Sequence, residues 1–237
     1  SAKRLSDNQK TIRVYEEILA DKKRKASIRL RAMWGLHTLN KLNPEIFLDD
    51  PSENIRTWAI RLMMDQQPID TLFGPREKAL PAPNPEAVQK LLKRALSDTS
   101  GLVRLTLASA LQRLPVEHRG ELAKVLAVRS EDENDHNQPH IVWAGVTPLV
   151  ELNPEKLLDV ARSTEWSNLR TWIARAITER SKENPVAFDA LLKLLGDQSY
   201  QADSLLTGIE RAVLGIKGFE KPARWNELSS RLQGNPN

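Results

Sequence analysis

Hydrophobic positions along this chain recur with the period of amphipathic α-helices. Beginning at Ile55, the apolar residues Ala59, Leu62 and Met63 fall on the same side of a helix. The same spacing returns later at Val103, Leu107, Ala110 and Leu111. An i, i+4, i+7, i+8 pattern predicts helices that each bury one stripe. Sustained alternation and Asn-Gly hairpin turns, which are typical of strands, are absent. The pattern therefore predicts an all-α protein.

Each stripe opens with a motif that the chain repeats. Residues 54–60 read NIRTWAI, and residues 168–174 read NLRTWIA. One related copy has Ile141 in the central slot, and the other copies have arginine there: Arg29, Arg56, Arg104 and Arg170. The copies return about every 35 residues on average, which is close to the period of repeats built from helical pairs. The sequence therefore predicts a stack of similar helix pairs.

A shorter helix is predicted before each motif. These segments span residues 14–20, 44–48, 85–96, 120–128 and 154–161. Three of them begin with Asn-Pro-Glu, at Asn43, Asn84 and Asn153. Asparagine caps free N–H groups, and proline is tolerated at the first helical position. Glutamate in the first turn interacts favourably with the positive end of the helix dipole. A further, weaker pair is predicted at residues 185–195 and 204–214, followed by a last helix in the tail.

Acidic residues precede two of the motif arginines by six positions. Asp50 stands before Arg56, and Asp98 before Arg104. In a turn between paired helices, the carboxylate caps the second helix, and the planar arginine bridges to an adjoining repeat. This Asp-turn followed by Val-Arg or Ile-Arg resembles the HEAT family. The resemblance implies an arginine ladder that fixes how the repeats stack.

The predicted architecture is a right-handed α-solenoid of about six HEAT-like helical hairpins. A single repeat domain would cover residues 1–237, with an insertion at residues 66–85 and a degenerate cap at residues 180–237. The opening sequence is typical of the interior of a longer chain, so we expect a fragment of a larger protein. The proline-rich insertion is open to two interpretations, a surface decoration or a contact with another domain.

Tryptophan is over-represented among the few aromatic residues. Trp58, Trp143 and Trp172 share the slot two residues after the arginine position. A tryptophan there would bury a large area between successive helix pairs. The alternative interpretation is an exposed stripe that binds a partner.

A narrower resemblance covers roughly two thirds of the chain. Residues 29–63, the stretch VRLTLASALQRLPVEHR at 103–119 and the stretch EDENDHNQPHIVWAGVTPLV at 131–150 carry it. They resemble the helical region of large membrane-bound dehydrogenases of environmental bacteria. In that family a sorbosone-dehydrogenase-like β-propeller precedes the repeats, and a CxxCH cytochrome module follows them. The resemblance implies a periplasmic or cell-envelope protein whose adjacent domains, in the same chain, are the partners.

The amino-acid composition and the absence of known motifs exclude several kinds of functional site. The chain has no cysteine, which excludes covalent haem and thiolate metal sites here, and we expect no cofactor in this fragment. No apolar run approaches the roughly 20 residues that cross a bilayer, so no membrane insertion is predicted. No serine elbow, phosphate-binding glycine loop or HExxH motif occurs, and the sequence therefore predicts no enzyme activity. His37 and His118 have no obvious acidic partner.

The acidic loop at residues 131–140 is a candidate metal site. Asp132, Asp135 and His136 lie in the stretch EDENDHNQPH, which alternates somewhat like a calcium loop. The turn glycine and the bidentate glutamate of such a loop are missing, however. The other interpretation is a loop that caps the helix at Ile141.

Two functions follow from these observations. The first is a non-catalytic scaffold that binds proteins within a larger exported redox protein. The second is a HEAT-like nucleic-acid-binding module of the alkylpurine-glycosylase type. The formal net charge of +4 and the tryptophans favour the second. The interspersed acidic residues argue against it, because nucleic-acid binders concentrate positive charge.

Overall fold

The computed structural model describes residues 2–67, 69, 85–197, 202–214 and 217–233. Within these ranges the chain forms helices and turns without any strand, which confirms the predicted all-α class. Most of the predicted insertion, residues 68 and 70–84, lies outside the described residues. Among the helices of the described ranges, none has both the length and the apolar character that a bilayer crossing requires.

The helices follow one another as pairs along the chain. In order they are α1 (Ala2–Ala20) with α2 (Ala26–Thr38), the 3₁₀ turn η1 (Pro44–Phe47) with α3 (Glu53–Met63), α4 (Pro85–Ser97) with α5 (Gly101–Ala110), α6 (Val116–Ala127) with α7 (Gln138–Val146), α9 (Pro154–Ser163) with α10 (Ser167–Glu179), and α11 (Pro185–Asp197) with α12 (Ala202–Val213). The short helix α8 (Leu149–Leu152) lies between α7 and α9, and α13 (Trp225–Gln233) follows the last pair.

Local capping accounts for where several helices begin. The Asn43 carboxamide accepts a hydrogen bond from the N–H of Glu45, and that of Asn153 accepts one from Lys156. The Ser100 hydroxyl accepts from the N–H of Val103 at the start of α5. These bonds satisfy donors that a helix leaves free in its first turn. Asn84, the third predicted cap, lies outside the described residues.

The first helix of a pair packs against the first helix of the next pair, and the second helix against the second. The second helices of the pairs, of which all but α12 carry the motif, contact one another in the order α2, α3, α5, α7, α10 and α12. The first helices of the pairs contact one another in the order α4, α6, α9 and α11. Between these rows lies a continuous apolar core, to which the predicted stripes contribute Ile55, Ala59, Val103 and Leu107. The predicted stripes therefore face this core.

Three predicted first helices differ in the structure. The first, expected at residues 14–20, begins at Ala2. The second, expected at residues 44–48, is only the four-residue 3₁₀ turn η1, because Asp50 and Pro51 follow too closely for an α-helix to form. The third, expected from residue 120, begins at Val116, directly after Pro115.

Candidate interaction surface

Arg56 connects two neighbouring helix pairs most clearly. We call such an arginine, together with the aspartate that it binds in the turn of the next pair, a rung. Its Nε and Nη2 atoms donate to the two carboxylate oxygens of Asp98, at 2.7 and 2.8 Å. Its Nη1 atom donates to the main-chain oxygen of Asp50, six residues earlier, at 2.8 Å. The Asp98 carboxylate is almost fully buried, with a side-chain exposure of 1%. One guanidinium thus ties the turn before α3 to the turn before α5 with a bidentate, charge-assisted pair.

The other motif arginines repeat this geometry. Arg29 donates through Nη1 to Asp50, at 2.9 Å, in the turn of the next pair. Arg104 donates through Nη2 to Asp132, at 2.7 Å, and through Nη1 to the main-chain oxygen of Asp98. Arg29, Arg104 and their carboxylate partners are all buried. The rungs therefore form a buried series across the first four pairs.

Arg170 occupies the same place in the fifth pair with different partners. It donates to the main-chain oxygen of Thr164, again six residues earlier, and to that of Ala161. Its Nη1 atom lies 3.0 Å from the Ser204 hydroxyl oxygen in α12. Arg170 therefore also reaches from its own turn to the following pair.

The acidic loop supplies one rung and one cap. Asp132, a weak metal candidate in the sequence, is buried and bound by both Arg104 and the Gln138 side chain. Asp135 accepts hydrogen bonds from the N–H groups of Asn137 and Gln138, at 2.8 and 2.7 Å. Asp135 is thus the equivalent of Asp50 and Asp98, which cap Ser52 and Ser100 in the same way.

The two aspartates among the candidate metal ligands have other partners in this arrangement. Asp132 faces a guanidinium, Asp135 faces backbone donors, and His136 is exposed. Among the residues that the structure describes, no group of three or more His, Cys, Asp or Glu could hold a metal ion. The backbone hydrogen bonds also hold the pKa of Asp135 below its ordinary value.

Calcium is therefore expected to leave the melting temperature unchanged. We predict no shift on adding millimolar CaCl₂, since both carboxylates already have partners. Differential scanning fluorimetry with and without the salt checks this. The Asp132→Ala variant should melt at a lower temperature by the same amount in both buffers. A calcium-dependent rise in wild type that Asp135→Ala removes would contradict this interpretation.

Protonation of Asp98 gives the fold a specific acid sensitivity. Burial raises the pKa of this carboxyl, but the hydrogen bonds from Arg56 and the Ser100 N–H outweigh that effect, and the net pKa is lowered. A carboxyl with a lower pKa in the folded state stabilises that state above its unfolded pKa of about 3.9 and loses this contribution as the pH falls through the folded value. The difference between wild type and Asp98→Asn in free energy of unfolding should therefore be largest near neutral pH and shrink below about pH 4.

Urea denaturation of both proteins at several pH values measures this difference. Both proteins contain the other carboxyls with lowered pKa, such as Asp135 and Asp189, and are measured in the same buffers. The contributions of those groups to the pH dependence therefore cancel in the difference. A difference that stays constant down to pH 3 would show that the Asp98 charge contributes nothing.

The tryptophans of the motif form pairs that are only partly buried. Trp58 and Trp172 each meet another tryptophan from the neighbouring motif-bearing helix: Trp34 meets Trp58 edge-to-face, with centroids 4.8 Å apart, and Trp143 meets Trp172 at 6.3 Å. All three predicted tryptophans pack against the core, yet each keeps part of its surface accessible. We call Trp34, Trp58, Trp143 and Trp172 the tryptophan face. Packing between helix pairs, the first interpretation from the sequence, is thus observed for part of each ring, and binding of a partner by the accessible part stays a prediction.

Polar groups flank the tryptophan face. The Arg61 guanidinium carbon lies 5.1 Å from the Trp58 ring centroid, and His140 stacks on Trp172 with centroids 4.9 Å apart. Between α3 and α5 lies a groove of about 350 Å³ lined by Trp58, Arg61, Arg113 and Asp65 among others. Arginine beside accessible tryptophan is the composition that protein interfaces favour.

Some residues of the site were not identified from the sequence. Trp34 lies outside the motif slot, five residues after Arg29, so the alignment of copies did not select it. Trp166 is fully buried and donates through Nε1 to the Arg129 carbonyl, at 2.8 Å. His37, expected to have no acidic partner, lies 3.1 Å from the Asp65 carboxylate. That expectation was wrong because the partner is 28 residues away and comes close only when α2 packs on α3.

Comparison with protein-family models, curated proteins and solved structures gives no match for this chain.

Proposed function

We propose that this chain is a non-catalytic scaffold, an α-solenoid of HEAT-like helix pairs that binds a protein segment along the tryptophan face. The observation that carries the proposal is the two contacts between partly accessible tryptophans of neighbouring helices, Trp34 with Trp58 and Trp143 with Trp172, in which three of the four residues occupy the motif slot. Tryptophan and arginine are the residues that contribute most to binding energy in protein interfaces. The buried rungs support a rigid surface, because they join the turns of successive pairs.

The titratable groups most suggestive of chemistry have structural roles in this proposal. Asp50, Asp98 and Asp132 are engaged by arginines, and Asp135 by main-chain donors. On the sequence resemblance, the partners would be the adjoining domains of a larger exported redox protein in the periplasm or cell envelope. Any dehydrogenase or cytochrome chemistry would belong to those domains.

Binding in trans tests the proposal. The domains that flank this segment in its natural gene product would be produced separately and titrated into the chain by calorimetry. Trp58→Ala and Trp172→Ala are each expected to weaken binding at least tenfold, as truncation of an interface tryptophan does. Arg61→Ala provides a third variant, with little risk to folding because this side chain is exposed.

Two controls separate the outcomes. Trp225→Ala, which is outside the tryptophan face, and Arg24→Ala, in an exposed turn, should bind as wild type does. Wild-type affinity in Trp58→Ala, Trp172→Ala and Arg61→Ala together would refute this surface. A duplex-DNA titration at two salt concentrations addresses the nucleic-acid alternative, since a groove that binds phosphates loses affinity steeply as salt rises. We expect no such salt-dependent binding.

A further inference from the structure

A cavity of about 660 Å³ lies at the C-terminal end of the helix row. It is formed by α11 and α12 on one side and by the segment that leads into α13 on the other. Its apolar lining is contributed by Phe188, Leu206, Ile209, Val213, Phe219 and Trp225. Both the volume and the mainly apolar, aromatic lining are those of small-molecule sites in proteins.

Contacts on either side fix the segment that closes this cavity. The Arg224 guanidinium donates through Nε to the Asp189 carboxylate of α11, at 2.7 Å. The Phe219 ring meets Phe188 edge-to-face, with centroids 5.9 Å apart. Leu228 of α13 is buried. The segment is therefore attached at several points, and the space between them and α12 remains open.

Two carboxylates and one ammonium group are the charged groups that line the cavity. Asp203 and Glu210 are seven residues apart on α12, about 10 Å along the helix axis, and both are exposed. Within the part of the chain that the structure describes, neither carboxylate makes an ion pair or a side-chain hydrogen bond, in contrast to Glu179 of α10, which Arg175 binds. Lys221 is the basic residue that lines the same cavity. Two carboxylates against one ammonium give the opening a negative balance.

We propose that this cavity binds a cationic amphiphile, a molecule with an apolar body up to about 10 Å long and one protonated amine or quaternary ammonium group. The apolar body would lie between Leu206, Val213 and the aromatic rings. The ammonium group would lie beside the Asp203 or Glu210 carboxylate, in a cavity that the aromatic residues Phe219 and Trp225 also line. An anionic amphiphile has the same apolar complementarity but meets these carboxylates as like charges.

A series of octyl compounds separates charge from apolar fit. Octyltrimethylammonium and octanoate below their micelle concentrations, and octanol below its solubility limit, would be titrated into the wild-type chain by calorimetry. We expect octyltrimethylammonium to bind at least fivefold more tightly than octanol, and octanoate to bind most weakly. Equal or tighter binding of octanoate, or no binding of any of the three, would overturn the proposal.

Variants assign the binding to this cavity. The double variant Asp203→Asn/Glu210→Gln should bind octyltrimethylammonium no better than octanol, whereas the control Glu183→Gln, an exposed acid outside the cavity, should keep the preference. Thr207→Trp, at a partly exposed lining position, should fill the cavity and abolish binding of all three compounds at an unchanged melting temperature. A preference that survives the double variant, or binding that survives Thr207→Trp, would show that the compounds bind elsewhere.

This inference is independent of the proposed function, because none of these residues belongs to the tryptophan face. Loss of partner binding in Trp58→Ala leaves the cavity intact, and loss of amphiphile binding in Thr207→Trp leaves the tryptophan face intact. The two experiments can therefore fail separately.

Discussion

Asp98→Ala is expected to destabilise the helix pairs around α3 and α5 by about 3–5 kcal/mol, the cost of removing one member of a buried ion pair. The substitution leaves the Arg56 guanidinium, whose side chain is 12% exposed, without the two oxygens that it binds. It also removes the cap from the Ser100 N–H, which the Asp98 carboxylate accepts at 2.9 Å. The midpoint of urea denaturation should fall accordingly.

Asp49→Ala is the matched control. Asp49 also contacts an arginine, since its carboxylate lies 3.2 Å from Arg94 Nη1, but its side chain is 78% exposed. An exposed pair contributes about 0–1 kcal/mol because water screens it. Equal losses in Asp49→Ala and Asp98→Ala would mean that burial of the rung contributes nothing to stability.

Gly208→Ala is expected to destabilise the last pair, at the upper end of the roughly 1–3 kcal/mol that overpacking costs. A Cβ atom at this position would lie 2.4 Å from the Thr171 carbonyl oxygen and 3.0 Å from the Arg175 nitrogen. These are backbone atoms of α10, so no side chain can rotate away. The Thr171 hydroxyl, which donates to the Ser204 carbonyl at 3.0 Å, further fixes the two helices.

The same substitution at Gly101 provides the comparison. Gly101 begins α5, and the nearest heavy atom to an added Cβ is Arg104 Nη2, at 3.9 Å. Gly101→Ala should therefore leave stability unchanged or raise it by up to about 1 kcal/mol, since alanine favours a helix over glycine. Equal melting temperatures for Gly208→Ala and wild type would show that α10 and α12 do not approach each other as closely as the structure has them.

The repeated motif was the most informative part of the sequence. A six-residue interval between Asp50 and Arg56, and again between Asp98 and Arg104, is a local signal, because turn and helix start are close in the chain. It could therefore indicate which residues cap and which arginines bridge. The apolar stripes likewise predicted the helices that begin with the motif, such as α3 and α5, because their buried residues recur with the helical period.

Interactions across larger separations were harder to foresee. The same six-residue interval joins Asp135 to Ile141, but the carboxylate that binds Arg104 is Asp132, three residues earlier in the loop. Nothing in the spacing distinguished the two aspartates before the loop was folded. The accessible sides of the tryptophans also depend on how α2 packs on α3 and α7 on α10. Gly208 is a weak indication of the close approach of α12 to α10, because a glycine within a helix often lies where another backbone comes near.

Hydrogen exchange in Asp98→Ala tests most directly whether the chain is a stack of pairs joined by rungs. In such a stack, each pair is stabilised by its immediate neighbours. We predict that amides of α3 and α5 lose protection in the variant, while those of α9, α10, α11 and α12 exchange as in wild type. An equal loss of protection in all of these helices would contradict the account, because the chain would then unfold as one cooperative globule.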